Sequence, residues 1–177
     1  MNIIIIIVLV LVGLIALLFV SALFMQKEYT VQREIVISKP KYTVFDYVKY
    51  LKNQDHFNKW VMMDPNMKKE FRGTDGTLGF VYAWNSQNKQ AGAGEQEIVK
   101  LVDGETVDVE VRFERPFKST AKTPIKTTTI SENQTKVIWT MHGNSNYPMN
   151  AMNPFMDSLL GKDLEASLQL LKNILEK

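Results

Sequence analysis

The feature that most constrains this chain is an uncharged run near its beginning, IIIIIVLVLVGLIALLFVSALFM, spanning residues 3–25. About 18 of its 23 positions are Leu, Ile, Val or Phe. As a helix it would reach roughly 35 Å, enough to cross a hydrocarbon core of about 30 Å. A soluble helix of this length carries a polar face, and none is visible here. The expectation is a single transmembrane anchor over residues 1–26, contacting the membrane through 3–25, with one water-soluble domain over 27–177. Val20-Ser21-Ala22 also matches a small-residue cleavage site, the mark of a signal peptide. Against cleavage, the apolar run exceeds the usual 7–15 residues and no Lys or Arg precedes it. Lys27, Arg33, Lys39 and Lys41 follow the run, so the positive-inside rule favours a cytoplasmic C-terminal domain.

The rest of the chain has the length of one domain with a real core. Its 21 basic and 19 acidic residues nearly cancel, which removes the electrostatic support a nucleic-acid partner needs. Cysteine is absent, so disulfides, thiolate nucleophiles and cysteine metal sites are excluded. With only two histidines, His56 and His142, no dedicated metal site and no cofactor is expected.

Residues 26–29 read as a short tether, and YTVQREIVI alternates as a first strand. Ser38-Lys39-Pro40 predicts a helix start, with serine as the N-cap. Val44, Phe45, Val48 and Leu51 then give one apolar stripe through about Lys52. From Met67 to Gly143 the period changes to two, broken by Gly, Asn, Asp and Pro, which predicts about six antiparallel strands. Gly73-Thr74-Asp75-Gly76 reads as a hairpin turn, and Pro124 as an edge or a bulge. After Pro148 the period returns to 3.6, with Phe155, Leu159, Leu160, Leu164, Leu168, Leu171 and Leu175 along one side of a long terminal helix. Asn153-Pro154 marks either its start or a kink. The layout is α+β, helices packed on one face of an antiparallel sheet of about seven strands.

Taken in order, KPKYTVFDYVKYLKNQDHFNKW, GTDGTLGFVYAW with NKQAGAGEQEI, RFERPF, TKVIWTMHG and GKDLEASLQLLKNILE resemble the START-like or SRPBCC superfamily, also described as polyketide cyclase/dehydrase and lipid transport. The resemblance covers about residues 30–176. It implies a helix-grip fold, a curved sheet around the C-terminal helix with a hydrophobic ligand cavity between them. Members bind lipids and other apolar molecules, some catalyse cyclisation or dehydration, and related heat-shock ATPase activators bind proteins. No common catalytic triad comes with the family, so fold leaves function open.

The best candidates for a cavity lining are Trp60, Phe80, Tyr82, Trp84 and Trp139, since ligand cavities are mainly apolar. The same residues read equally well as core. Met141, Phe155 and Leu159 complete the apolar set, methionine being an adaptable filler. Glu95 and Glu97 share one strand face and, with Arg112, are the candidate polar groups; buried carboxylates so placed can share a proton. Gly161 inside the terminal helix opens space for a ligand, permits close packing on the sheet, or allows a bend. The expected function is a membrane-anchored binding protein for a lipid or other hydrophobic small molecule. The alternatives are a cyclase-like enzyme using Tyr82, Glu95 or Arg112, and a protein-interaction module. No catalytic residue is assigned.

Overall fold

The computed structural model describes residues 2–177. The apolar run forms helix α1 (Ile3–Ala22), closed by backbone N–H donation from Leu23 to Val20 and from Phe24 to Ser21. Its side chains from Ile3 to Val20 are exposed, and only Ala22 is buried, against the rest of the chain. The helix is long and apolar enough to cross a bilayer, as a signal sequence also is.

Strand β1 (Glu28–Ile37) pairs antiparallel along its whole length with β8 (Gln134–Asn144), from Glu28 opposite Asn144 to Ile37 opposite Thr135. Between them run β2 (Lys68–Arg72), β3 (Val81–Asn85), β4 (Ala93–Val102), β5 (Thr106–Arg115), β6 (Ser119–Lys122) and β7 (Ile125–Ser131). The eight antiparallel strands form one curved sheet in the order β1-β8-β6-β5-β4-β3-β2, with β7 pairing β5 and β8 beside β6. The extra strand relative to the sequence expectation comes from Pro124. It has no N–H to give the ladder, and it divides one segment into β6 and β7, which lie inside the sheet between β5 and β8 and not at an edge.

The first soluble helix is shorter than its apolar stripe predicts. Helix α2 (Lys41–Val48) buries Val44, Phe45 and Val48, then gives way to a 3-10 turn (Leu51–Asn53) and the one-turn helices α3 (Gln54–Phe57) and α4 (Lys59–Met62). Leu51 and Lys52 leave the helix because their backbone N–H groups donate to the Asp75 carboxylate, at 2.8 and 3.1 Å. The turn read as a plain hairpin thus supplies a cap to a distant segment. Ser38 is not the N-cap of α2. Its backbone N–H donates instead to Glu176 Oε1 at 2.5 Å, tying the end of β1 to the end of the chain.

The terminal helix starts at Met156, after a 3-10 segment (Met149–Phe155) that contains Pro154, so proline marks a start and not a kink. Helix α5 (Met156–Leu175) buries Leu164, Leu168 and Leu171 completely against Val31, Ile37, Val107, Val109 and Val137 of the inner sheet face. Full burial of each leucine contributes about 1.5–3 kcal/mol, which makes this seam the main attachment of helix to sheet. Ser167 links α5 to α4, accepting from the Lys59 N–H at 3.0 Å while donating to the Asp163 carbonyl at 2.6 Å.

Candidate functional site

Between the inner sheet face, α4 and the first turns of α5 lies a cavity of about 300 Å³. Period two decides which residues reach it. On β4 and β5, Gln96 and Val111 are cross-strand partners facing inward, and Phe113 continues that row; Glu95 and Arg112 are paired on the opposite, outer face. Trp84 reaches the cavity from β3, Trp139 and Met141 from β8, Tyr29 from β1, Trp60 and Val61 from α4, and Leu160 from α5.

Two aromatic rings lie across glycines on the neighbouring strand. Trp84 is opposite Gly94, where a Cβ would come within 2.9 Å of the indole and also overlap the Arg112 carbonyl. Tyr29 is opposite Gly143, where a Cβ would overlap the ring. The missing side chains let both rings lie close to the sheet. Trp84 is further held by its indole N–H, which donates to the Ala91 carbonyl at 2.9 Å, and by Phe113 edge-on at 6.0 Å. Burial pushes the Tyr29 phenol above its ordinary value, so it is neutral and able to donate at neutral pH.

The polar groups of the lining are amides and hydroxyls, with Arg115 the one charged side chain among the described residues. Gln54 accepts from Asn58 Nδ2 at 2.8 Å, and Asn58 Oδ1 caps α4 at Trp60 N. The Trp139 indole N–H is buried without a hydrogen-bond partner. An unpaired buried donor costs roughly 1–3 kcal/mol, a cost that an acceptor entering the site would relieve.

Of the residues proposed from sequence, Trp60, Trp84, Trp139 and Met141 line the cavity and the others do not. Phe80 and Tyr82 face inward but are covered by Phe71, whose ring stacks at 6.3 Å on Phe80 and tilts at 5.1 Å against Tyr82. The Tyr82 hydroxyl donates to Asp55 Oδ1 at 2.9 Å; burial and the adjacent carboxylate raise its pKa, which removes it as a base. Phe155 and Leu159 are exposed at the start of α5, turned away from the cavity.

Glu95 and Arg112 belong to an ion-pair network on the outer face. Arg112 donates to Glu97 at 2.6 Å, Glu110 at 2.8 Å and Glu95 at 2.9 Å, and Arg72 also binds Glu95. Hydrogen bonds from Arg72 and then Arg112 hold the Glu95 carboxyl below its usual range. Glu95 and Glu97 are not a buried pair facing the cavity: both are bonded to Arg112 on the outer face. Gln96, Val111 and Phe113 were missed as lining residues. The signal was present in the alternation itself, which sets Arg112 with Asp108 and Glu110 and sets Val111 with Val107 and Val109.

Gly161 does not open the cavity. A Cβ there would overlap the Arg33 guanidinium, which crosses the helix at this point to form a two-pronged pair with Asp157 at 2.8 and 3.0 Å. His142 accepts or donates at Thr30 Oγ1, at 2.9 Å, on an exposed strand end. Among the described residues, no three His, Asp or Glu side chains converge to hold a metal ion.

No protein-family model matches the sequence, and no curated protein matches it closely enough in sequence to count as a relative. Solved structures do match. A truncated norcoclaurine synthase from Thalictrum flavum superposes with a TM-score of 0.64 at 10% identity, over 83% of this chain and 92% of that one. The Zhui aromatase/cyclase from Streptomyces sp. R1128 gives 0.63 at 11% identity, over 84% and 94%. The Aha1 dimer protein from Colwellia psychrerythraea gives 0.55 at 18% identity, over 83% and 96%. The fold is the SRPBCC-type helix grip. At identities this low the likeness is one of fold, while function stays with the cavity and the surfaces of this chain.

Proposed function

We propose that residues 27–177 form a binding domain for an apolar small molecule or part of a lipid, held at a membrane by an anchor over residues 1–26. The observation that carries this reading is the cavity, whose walls include three tryptophans, Phe113, Phe117 and Met141 and whose polar groups are almost all uncharged. Its volume of about 300 Å³ is at the small end of the range for ligand cavities. That suits a short acyl chain or a compact ring system better than a whole diacyl lipid. Tyr29, Gln96 and the unpartnered Trp139 indole N–H are the groups that would orient a polar end.

Binding is favoured over catalysis for a chemical reason. Two of the structural neighbours carry enzyme names, but the lining here contains no carboxylate and no imidazole among the described residues. Those groups carry most general acid–base steps, and Tyr29, a neutral phenol, is the acid the lining offers in their place. The basic flank after the apolar run supports a cytoplasmic position for the domain.

The test is native mass spectrometry of the full chain extracted with its surrounding lipid, beside Val111→Phe. The extra ring fills the cavity floor at an overpacking cost of about 1–3 kcal/mol. We expect an apolar molecule bound to the parent chain and lost from the variant. Equal occupancy in both, with the variant folded by circular dichroism, would remove the cavity as the binding site.

A further inference from the structure

Beyond α1, exposed apolar residues such as Tyr42, Leu78 and Ile130 are scattered, and the one continuous run of them lies beside the exit of α1. Tyr147, Met149, Met152, Phe155 and Leu159 are each about half exposed, and so is Phe19 of the helix, with Phe24 almost fully exposed. Further along α5, Leu164, Leu168 and Leu171 are wholly buried, so the exposure is confined to the end nearest α1. No charged residue occurs from 144 to 156, and Asp157, the one charge in 147–159, is paired with Arg33.

The same segment holds the end of α1. Asn150, itself buried, donates through Nδ2 to the carbonyls of Ala22 at 2.6 Å and Met25 at 3.0 Å, and Asn153 donates to the Gln26 carbonyl at 2.9 Å. Ser145 N–H donates to the Lys27 carbonyl at 2.8 Å, and the Tyr147 ring meets Phe19 edge-on at 6.2 Å. Residues 26–29 are therefore not a free tether. The Ala22 carbonyl at the end of α1, and those of Met25, Gln26 and Lys27 just after it, are bonded into the domain, and the direction of the helix is set relative to the sheet.

Strand pairing puts the cavity at this end as well. Glu28 opposite Asn144, Ala121 opposite Gly143 and Phe113 opposite Ser119 bring the start of β1, the end of β8 and the 116–118 loop to one rim of the sheet. Phe117, exposed on that loop, lines the cavity together with Tyr29 and Leu160.

We infer that segment 147–159 is a second membrane-contact surface, which lies at the bilayer interface beside α1 and seats the cavity rim against the lipid. This rests on the anchor reading above. The bilayer is the occupant because the patch is continuous with the spanning helix. If α1 enters the membrane up to Ala22, the residues bonded to Ala22 and to the three positions 25–27 after it sit at headgroup depth, where exposed aromatic and apolar side chains gain by insertion. A ligand would then pass between bilayer and cavity without crossing open water.

The chain lacks cysteine, so single-cysteine spin labels are unambiguous. The full chain would be placed in phosphatidylcholine/phosphatidylglycerol vesicles with a label at Met152, Phe155 or Leu159. A label at Ile130, exposed near the opposite sheet rim, reports water, and one at Leu11 reports the span. We expect the ratio of oxygen to nickel-chelate accessibility at Met152, Phe155 and Leu159 to exceed that at Ile130 several-fold, with Leu11 higher still. Values at the three sites equal to Ile130, with Leu11 in lipid, would overturn the interfacial surface and leave the anchor standing. Shielding of the three sites from both reagents would overturn it in favour of a protein contact. A water-accessible Leu11 would remove the anchor and this inference together.

Discussion

Replacing Gly161 by alanine sets backbone propensity against one side-chain neighbour, and the first effect has a calculable size. Alanine in a helix interior is favoured over glycine by about 0.8–1.0 kcal/mol. The new methyl would displace the Arg33 guanidinium, coming 2.6 Å from Cζ, and so break its pair with Asp157. The Asp157 side chain is 64% exposed, so solvent screening leaves the pair a weak contribution. The two contributions oppose each other, and Gly161→Ala alone is expected to change stability by less than about 1 kcal/mol. In an Arg33→Ala background the obstruction is gone, and the same substitution should stabilise by about 1 kcal/mol. The assay is denaturant unfolding of the full chain in detergent, followed by tryptophan fluorescence, since all three tryptophans lie outside α1. If Gly161→Ala destabilises by more than about 2 kcal/mol in both backgrounds, the glycine serves a packing need unrelated to Arg33, and the reasoning fails.

Three further outcomes are expected. The Glu95 carboxyl is held below its ordinary 4.5 by Arg72 and Arg112; its contribution is therefore complete above the unfolded value and is lost as pH falls through the lower folded one. Stability curves from pH 6 downward should fall less steeply for Glu95→Gln than for the parent, and identical slopes would refute the role of this network. Tyr82→Phe removes a part-buried hydrogen bond to Asp55, which also pairs with Lys69 at 2.8 Å; a loss of about 1.5–3 kcal/mol in unfolding free energy is expected for a bond to an ion-paired group. Asp75→Ala should cost about 0.5–2 kcal/mol as a lost cap. Hydrogen exchange should locate that loss at the Leu51 and Lys52 amides, and unchanged protection there would contradict the capping assignment.

Much of the architecture was legible in the sequence because periodicity is a local property. The apolar run became α1, the alternating strands became the sheet, and the leucine spacing became α5. Where the reading missed, a distant partner had overridden a local preference. Ser38 looked like a cap, but Glu176 takes its N–H; the stripe on α2 pointed through Leu51, but Asp75 ends the helix first. The site was half legible. Trp60, Trp84, Trp139 and Met141 line the cavity, whereas Phe80 and Tyr82 lie under Phe71. Sequence spacing cannot reveal which inward aromatic is covered, since the cover comes from another strand. For Glu95 and Arg112 the alternation was informative, since it sets both on the face opposite Gln96 and Val111.

By itself the sequence determined that this chain carries one bilayer-length apolar helix and a helix-on-sheet domain without cysteine chemistry or a basic nucleic-acid face. Hydropathy and period act within a few residues, so no tertiary information was needed. Only the tertiary structure decided that α1 is bonded to the domain through Asn150 and Asn153, and that Gly161 makes room for Arg33. It alone also put the cavity and the exposed 147–159 segment at one rim of the sheet. These depend on residues more than a hundred positions apart meeting through strand register, a long-range relation that no local pattern encodes.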